Sequence, residues 1–305
     1  MRSRFRSDRR LAVRMGLTMF LLGLLYVGFV AALIVLLKSW VLVAVLIGAM
    51  FVAQFWFSDR IAMFAMRGRV VEREEYPGLH AVVDRLCALA DLPKPVVAVS
   101  AMDMPNAFAT GRSADHAVVC VTTGLLRRLE PAELEGVLAH ELSHVRHKDV
   151  AVITIASFLG VVAGLVVRFA FYSQVFGGRR DQNTAAVFAA VLGVSAAVYA
   201  ISFLLIRALS RYRELAADRA AALLTGRPSA LAAALTKVTG EIARIPTKDL
   251  RTAQAFNAFY FTPATGREPG IERFFSTHPS LEQRLEQLGR ISAELGEAAT
   301  PGKAG

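Results

Sequence analysis

From Met15 to Leu37 the chain runs 23 residues without a charged side chain. A helix rising 1.5 Å per residue needs about 20 apolar residues to cross a hydrocarbon core about 30 Å thick, so this run is long enough to span a bilayer. It exceeds the apolar core of a secretion signal, about 7 to 15 residues, and a second apolar run, Trp40–Phe57, follows after only Lys38 and Ser39. Gln54 alone interrupts that run, which ends in Phe55, Trp56 and Phe57, aromatic residues of the kind that favour a membrane interface. Residues 15–57 therefore read as a retained transmembrane hairpin.

Two later runs, Val150–Phe176 and Ala185–Ile206, are rich in Ala, Val and Gly and flank a polar stretch at 177–184. They predict a second membrane hairpin over 150–206, for about four spans in all; a helical hairpin buried in protein is the alternative. Arg168 then falls near the far interface, where a long side chain reaches headgroups. Lys and Arg outnumber Asp and Glu 35 to 25, a formal charge of +10, which points to an anionic partner. Arg2, Arg4, Arg6, Arg9, Arg10 and Arg14 precede the first run without an RNA-reading aromatic pattern, so the partner is the bilayer and not nucleic acid. With Arg60, Arg67, Arg69 and Arg73 after the second run and Lys38 alone between, the N-terminus (1–14) and the segment after residue 57 face the cytosol. Cys87 and Cys120 have no His or Cys at ligand spacing and read as buried thiols.

Residues 58–149 read as the first part of a water-facing α-rich α+β domain and 207–292 as its second part, with a flexible tail at 293–305. Leu79, Val82, Val83, Leu86 and Leu89 recur at helical spacing before Pro93 and Pro95. Val96–Val99 and Ala117–Thr122 predict strands, and Pro131 opens a helix reaching about Lys148.

That helix carries His140-Glu141-Leu142-Ser143-His144, an HExxH sequence. Residues four apart share a helix face, so both imidazoles can reach one ion while Glu141, one step round, reaches a water and serves as base. Leu134, Val137, Leu138, Leu142 and Val145 would bury much of the helix, and buried histidines beside a buried glutamate need a partner; a metal supplies it. Catalytic zinc takes three protein ligands and keeps one position open. A metzincin pattern would require a glycine and then a histidine at the positions held here by His147 and Val150, and Asp149 comes too early. Glu214, in Arg211-Tyr212-Arg213-Glu214-Leu215-Ala216-Ala217-Asp218, is the expected third ligand, with Asp218 accepting the free ring N–H of a ligating histidine. The competing reading of Glu214 and Asp218 is a solvated face shared with Arg211, Arg213 and Arg219.

These pieces, with Asn106-Ala107-Phe108-Ala109-Thr110-Gly111 and Thr277-His278-Pro279 followed by Arg284, resemble the family of membrane zinc peptidases that includes the heat-shock protease HtpX and the CAAX prenyl proteases. The length and about four spans look more like HtpX than the larger prenyl proteases. The resemblance implies a gluzincin-type zinc peptidase domain with a small β-sheet, holding one Zn2+ per chain. It places Asn106 beside the cleft near an edge strand to which an extended substrate could add, and Arg284 on the substrate side or behind the ligands. It also moves His278, otherwise a capping or packing residue, toward stabilising negative charge on the scissile carbonyl oxygen. His80, His116 and His147 are left as structural or solvent-facing.

The expectation is a multi-pass zinc metalloendopeptidase of the EC 3.4.24 type, with its catalytic domain in the cytosol and, by the resemblance, in a bacterial inner membrane. Its partners would be lipid and protein substrates, membrane proteins or misfolded ones, in stress-linked quality control, with self-cleavage possible. Two alternatives stand beside it: a membrane sensor peptidase serving a single regulatory partner, and a four-span scaffold or transporter in which the HExxH is structural.

Overall fold

The computed structural model describes residues 9–37, 41, 45, 47–50, 52, 56, 63–64, 66–111, 113–147, 149, 152–153, 156, 158, 160–167, 182–242 and 278–296. The chain divides into two compact units, one of residues 1–9, 58–150 and 211–305, the other of 10–57 and 151–210.

The second unit contains α1 (Arg9–Leu37) and the first part of a 44-residue helix, Gln182–Thr225. Its core joins Leu22, Phe29 and Leu33 with Ala156, Phe158, Val162, Ala163, Val198 and Leu209. The Tyr26 hydroxyl donates to the Ala156 carbonyl at 2.5 Å. The outer face is apolar as well: Val13, Phe20, Leu24, Val27 and Val35 are each more than half exposed. Both helices are long and apolar enough to cross a membrane, and most of each apolar stretch is unburied, unlike the core helix of a soluble protein. Of the four spans expected, two thus stand as long apolar helices. The runs Trp40–Phe57 and Val150–Phe176, the stretch 177–184 and Arg168 fall wholly or mostly outside the described residues.

The first unit is built on a four-stranded mixed sheet in the order β1-β2-β4-β3. Strands β2 (Val96–Ser100) and β4 (Val118–Thr122) pair in parallel at its centre, with Val99 opposite Val121. Buried on both faces, they read in sequence as continuous β-branched runs without alternation. Two short antiparallel strands close the edges: β1 (Gly68–Val70) on β2 and β3 (Ala107–Thr110) on β4. Neither follows from the residue pattern, and the stretch before Gly111, which reads as a loop from residues alone, is itself the edge strand. Gly111 ends it at φ +134°, where an added Cβ would lie 2.3 Å from the His116 carbonyl oxygen.

Helix α2 (Pro77–Ala90) buries Leu79, Val83, Leu86 and Ala90 and stops at Asp91 in the left-handed region, before the prolines expected to end it. Thr122 closes β4 and caps α3 (Thr123–Arg128), its hydroxyl accepting from the Leu125 N–H. Helix α4 (Pro131–Arg146) begins with Pro131 at its first position and a reciprocal cap between Glu130 and Glu133. The 44-residue helix, α5, supplies Arg211–Thr225 to this unit, and α6 (Pro228–Ile242) turns back onto α4. Gly136 permits that approach, since a Cβ there would sit 3.2 Å from Leu231 Cα. Helix α7 (Leu281–Leu295), capped by Ser280 and Gln283, sends Leu288 and Ile291 into the same core.

Candidate metal centre

Helix α4 presents His140 and His144 one turn apart, their rings edge to face with centroids 4.8 Å apart. The two Nε2 atoms are 3.1 Å apart. Glu214 on α5 brings Oε2 to 3.6 Å from His140 Nε2 and Oε1 to 3.4 Å from His144 Nε2. Together the three side chains form a possible metal site. Ligands at about 2.0 to 2.1 Å around a tetrahedral ion stand about 3.3 Å from one another, close to these separations.

The remaining ring nitrogens fix how the site can be used. His140 Nδ1 lies 2.9 Å from Asp218 Oδ1, and His144 Nδ1 lies 2.6 Å from Asp149 Oδ2. A carboxylate can only accept, so each Nδ1 carries a proton, and in the neutral ring each Nε2 turns a lone pair inward, toward the other and toward Glu214. Three electron-rich atoms facing one another repel unless a proton or a metal cation lies among them. Charge leads to the same conclusion. With the histidines neutral, as metal ligation requires, Glu141, Asp149, Glu214 and Asp218 are buried with two guanidinium groups, Arg213 and Arg284, leaving two negative charges in excess among these groups. A divalent cation matches that excess, so the residues fit the metal.

Arg284, 2% exposed, grips Asp218 with both arms, Nε to Oδ2 at 2.7 Å and Nη2 to Oδ1 at 2.6 Å. Burial by itself raises the Asp218 pKa, but Arg284 and His140 outweigh it and hold the carboxyl below its ordinary value. For Glu214, too, burial acts upward and is overcome, here by His278, His140 and His144, leaving its pKa well below the usual carboxylate range. Glu141 goes the other way. Burial dominates and raises its pKa, with the two histidines only partly offsetting it. Its Oε2 accepts the Ala109 N–H at 2.9 Å, a bond from the edge strand to the HExxH helix.

The structure thus brings His140, Glu141, His144, Glu214, Asp218, His278 and Arg284 together. His278 lies with Nδ1 3.2 Å from Glu214 Oε2, against the third carboxylate. Asn106 is tied to Thr122: its N–H donates to Thr122 Oγ1 at 2.8 Å, and its carbonyl accepts the Thr122 N–H at 2.9 Å, which pins the start of β3. Thr277 lies outside the described residues. Asp149, weighed in the sequence only as a third ligand, lies behind His144, and Arg213, grouped with a solvated face, is buried beside it at 2.9 Å. The signal for both was available: an acid five residues past the second histidine and an arginine next to the third ligand. Ala109 left no side-chain signal, because its backbone makes the contact.

Comparison with known proteins gives a consistent result. The profile of Peptidase family M48 matches residues 73–292. The chain is 85% identical over 304 residues to protease HtpX homolog 1 of Streptomyces coelicolor, covering 100% of both chains. It is 51% identical over 298 residues to the protease HtpX homolog of Moorella thermoacetica, covering 97% of this chain and 99% of the relative. Among solved structures, Ste24p of S. mikatae shares the fold at a TM-score of 0.53 and 17% identity, covering 92% of this chain and 67% of that one.

Proposed function

The chain belongs to peptidase family M48 and is an HtpX-type metalloprotease; from that premise we propose a zinc-dependent endopeptidase that hydrolyses membrane or misfolded proteins at the cytosolic face of a bilayer. The observation that carries the reading is the inward convergence of His140 Nε2, His144 Nε2 and a Glu214 carboxylate, with each Nδ1 already facing a carboxylate. Two histidines and a glutamate with one position left open is a ligand set suited to catalytic zinc.

His140, His144 and Glu214 would hold the zinc, which would supply a Lewis acid to polarise the scissile carbonyl and to make water acidic enough to attack near neutral pH. Glu141 takes the proton from the attacking water and delivers it to the leaving nitrogen as the C–N bond breaks. Its raised pKa, set by burial, moves it toward the pH at which it can do both. The outer edge of β3 offers backbone groups to an extended substrate, which would add as a further strand beside Glu141. His278, beside Glu214, is a further donor toward negative charge developing on the carbonyl oxygen. No covalent intermediate is required.

The membrane part of the reading is supported by the two long apolar helices and by the continuity of α5 from its apolar half through Glu214. At 1.5 Å per residue, Glu214 follows Ile206, the last residue of the apolar run, by only about 12 Å along the helix axis. The basic residues before the first span and after residue 57 support a cytosolic catalytic domain. Protein quality control in a bacterial inner membrane completes the proposal and rests on the family resemblance in the sequence.

The test is metal content by mass spectrometry on detergent-purified wild type, His140→Ala and Glu214→Ala, with casein cleavage measured with and without chelator. The expected result is about one zinc per wild-type chain and chelator-sensitive cleavage, both lost in the two variants. Zinc retained in Glu214→Ala, or cleavage indifferent to chelator, overturns the reading.

A further inference from the structure

The two histidines of the HExxH helix are supported in the same way but from different parts of the chain. Behind His140 stands Asp218, and behind Asp218 stands Arg284. Behind His144 stands Asp149, and behind Asp149 stands Arg213. We infer that Asp149 and Arg213 are positioning residues that hold the His144 ring in its metal-binding tautomer and orientation. This rests on the reading of His144 as a ligand.

The geometry separates this role from that of an ordinary buried ion pair. Asp149 Oδ2 receives both the His144 Nδ1–H, at 2.6 Å, and Arg213 Nη2, at 2.9 Å. Arg213 is 6% exposed and does not engage the carboxylate as a fork; its Nε and Nη1 have no hydrogen-bond partner among the described residues. An arginine selected for the pair alone would gain from a two-armed grip like that of Arg284 on Asp218. What Arg213 keeps is one arm on the oxygen that faces His144.

The local chain explains the need for it. Helix α4 ends at Arg146, so Asp149 lies three residues beyond its end and is not fixed by α4 itself. Arg213 immediately precedes Glu214 on α5, so the turn of helix that delivers the third ligand also anchors the support of the second. A buried Asp149 without that cation would be an uncompensated charge beside the site.

The test is zinc affinity of the full-length, detergent-solubilised chain, measured by competition with a chelator of known affinity. The variants are His144→Ala, Asp149→Asn, Arg213→Met and Arg213→Lys, and the thermal unfolding of each metal-free protein is measured in parallel. The expected result is zinc affinity 10- to 100-fold weaker for Asp149→Asn and Arg213→Met, with Arg213→Lys between these and wild type. If Asp149→Asn or Arg213→Met does not fold, Arg213→Lys carries the test, and wild-type affinity in it overturns the inference. Lower metal-free stability with unchanged zinc affinity also overturns it, because the pair is then structural only. Wild-type zinc affinity in His144→Ala instead overturns the ligand set itself.

Discussion

The backbone N–H of Ala109, on the edge strand, donates to Glu141 Oε2 at 2.9 Å. Glu141 is therefore held at a defined place beside the strand where substrate is proposed to lie, while its carboxylate needs only one oxygen for that bond. Replacing it with glutamine keeps an oxygen to accept the Ala109 amide and removes the base. Glu141→Gln is expected to bind zinc like wild type and to lose about 10²- to 10⁴-fold in cleavage rate. A variant with normal metal content that cleaves casein at the wild-type rate would sink the assignment.

Arg284 and Asp218 form a buried two-armed pair at 2.6 and 2.7 Å. Removing the cation leaves a carboxylate with 0% exposure and its principal counter-charge gone. Arg284→Ala is expected to destabilise the metal-free chain by about 3 to 5 kcal/mol in denaturant unfolding, and Asp218→Asn added to it should recover part of the loss. If the double variant is no more stable than Arg284→Ala, the cost does not arise from the stranded charge.

The same pair sets a pH dependence. Asp218 has its folded pKa lowered below the ordinary value, so its contribution to stability is fully present above the unfolded value of about 3.9. That contribution is lost as pH falls through the folded value. In metal-free protein, wild type is expected to lose stability more steeply than Asp218→Asn below about pH 4. Parallel acid-limb curves in the two proteins would contradict the assignment.

Burial pushes the Cys87 thiol up to about 11 and the Cys120 thiol up to about 12, and both are free and buried. The reactive thiolate is scarce and inaccessible at neutral pH. Neither cysteine is expected to react with iodoacetamide in the folded protein, and both should react in denaturant, as peptide mass mapping would read. Rapid labelling of native Cys120 would mean that the sheet opens readily.

The proximity of the active site to the membrane, as proposed, predicts faster cleavage of a cytosolic loop within a reconstituted membrane protein than of the same loop as a free peptide. Equal rates in liposomes would remove the argument from the short Ile206–Glu214 spacing.

Much of the site was legible because its residue types are rarely assembled by chance. His140, Glu141 and His144 share a fixed helical spacing, and Glu214 with Asp218 repeats one turn on a second helix. The central strands β2 and β4 were legible as β-branched runs. The edge strands were not: Gly68–Val70 and Ala107–Thr110 are three and four residues long and hold their form by pairing with the centre rather than by propensity. Arg213 entered only the competing reading, as part of a solvated face, for a related reason. An arginine beside Arg211 looks solvated until the fold sets Asp149 against it. The apolar runs were legible in length, while their number as spans depends on residues beyond those described.

The arginine behind Asp218 comes from α7, close to the end of the chain, whereas both histidines lie before its midpoint. A ribosome therefore makes the HExxH helix long before it makes Glu214, and Glu214 before Arg284. On the proposed ligand set, the histidines exist during synthesis without their third ligand, and Asp218 exists without the arginine that clamps it. On that reading, a copy that stops short of α7 lacks the arginine behind Asp218, so the arrangement is complete only once residue 284 has been made.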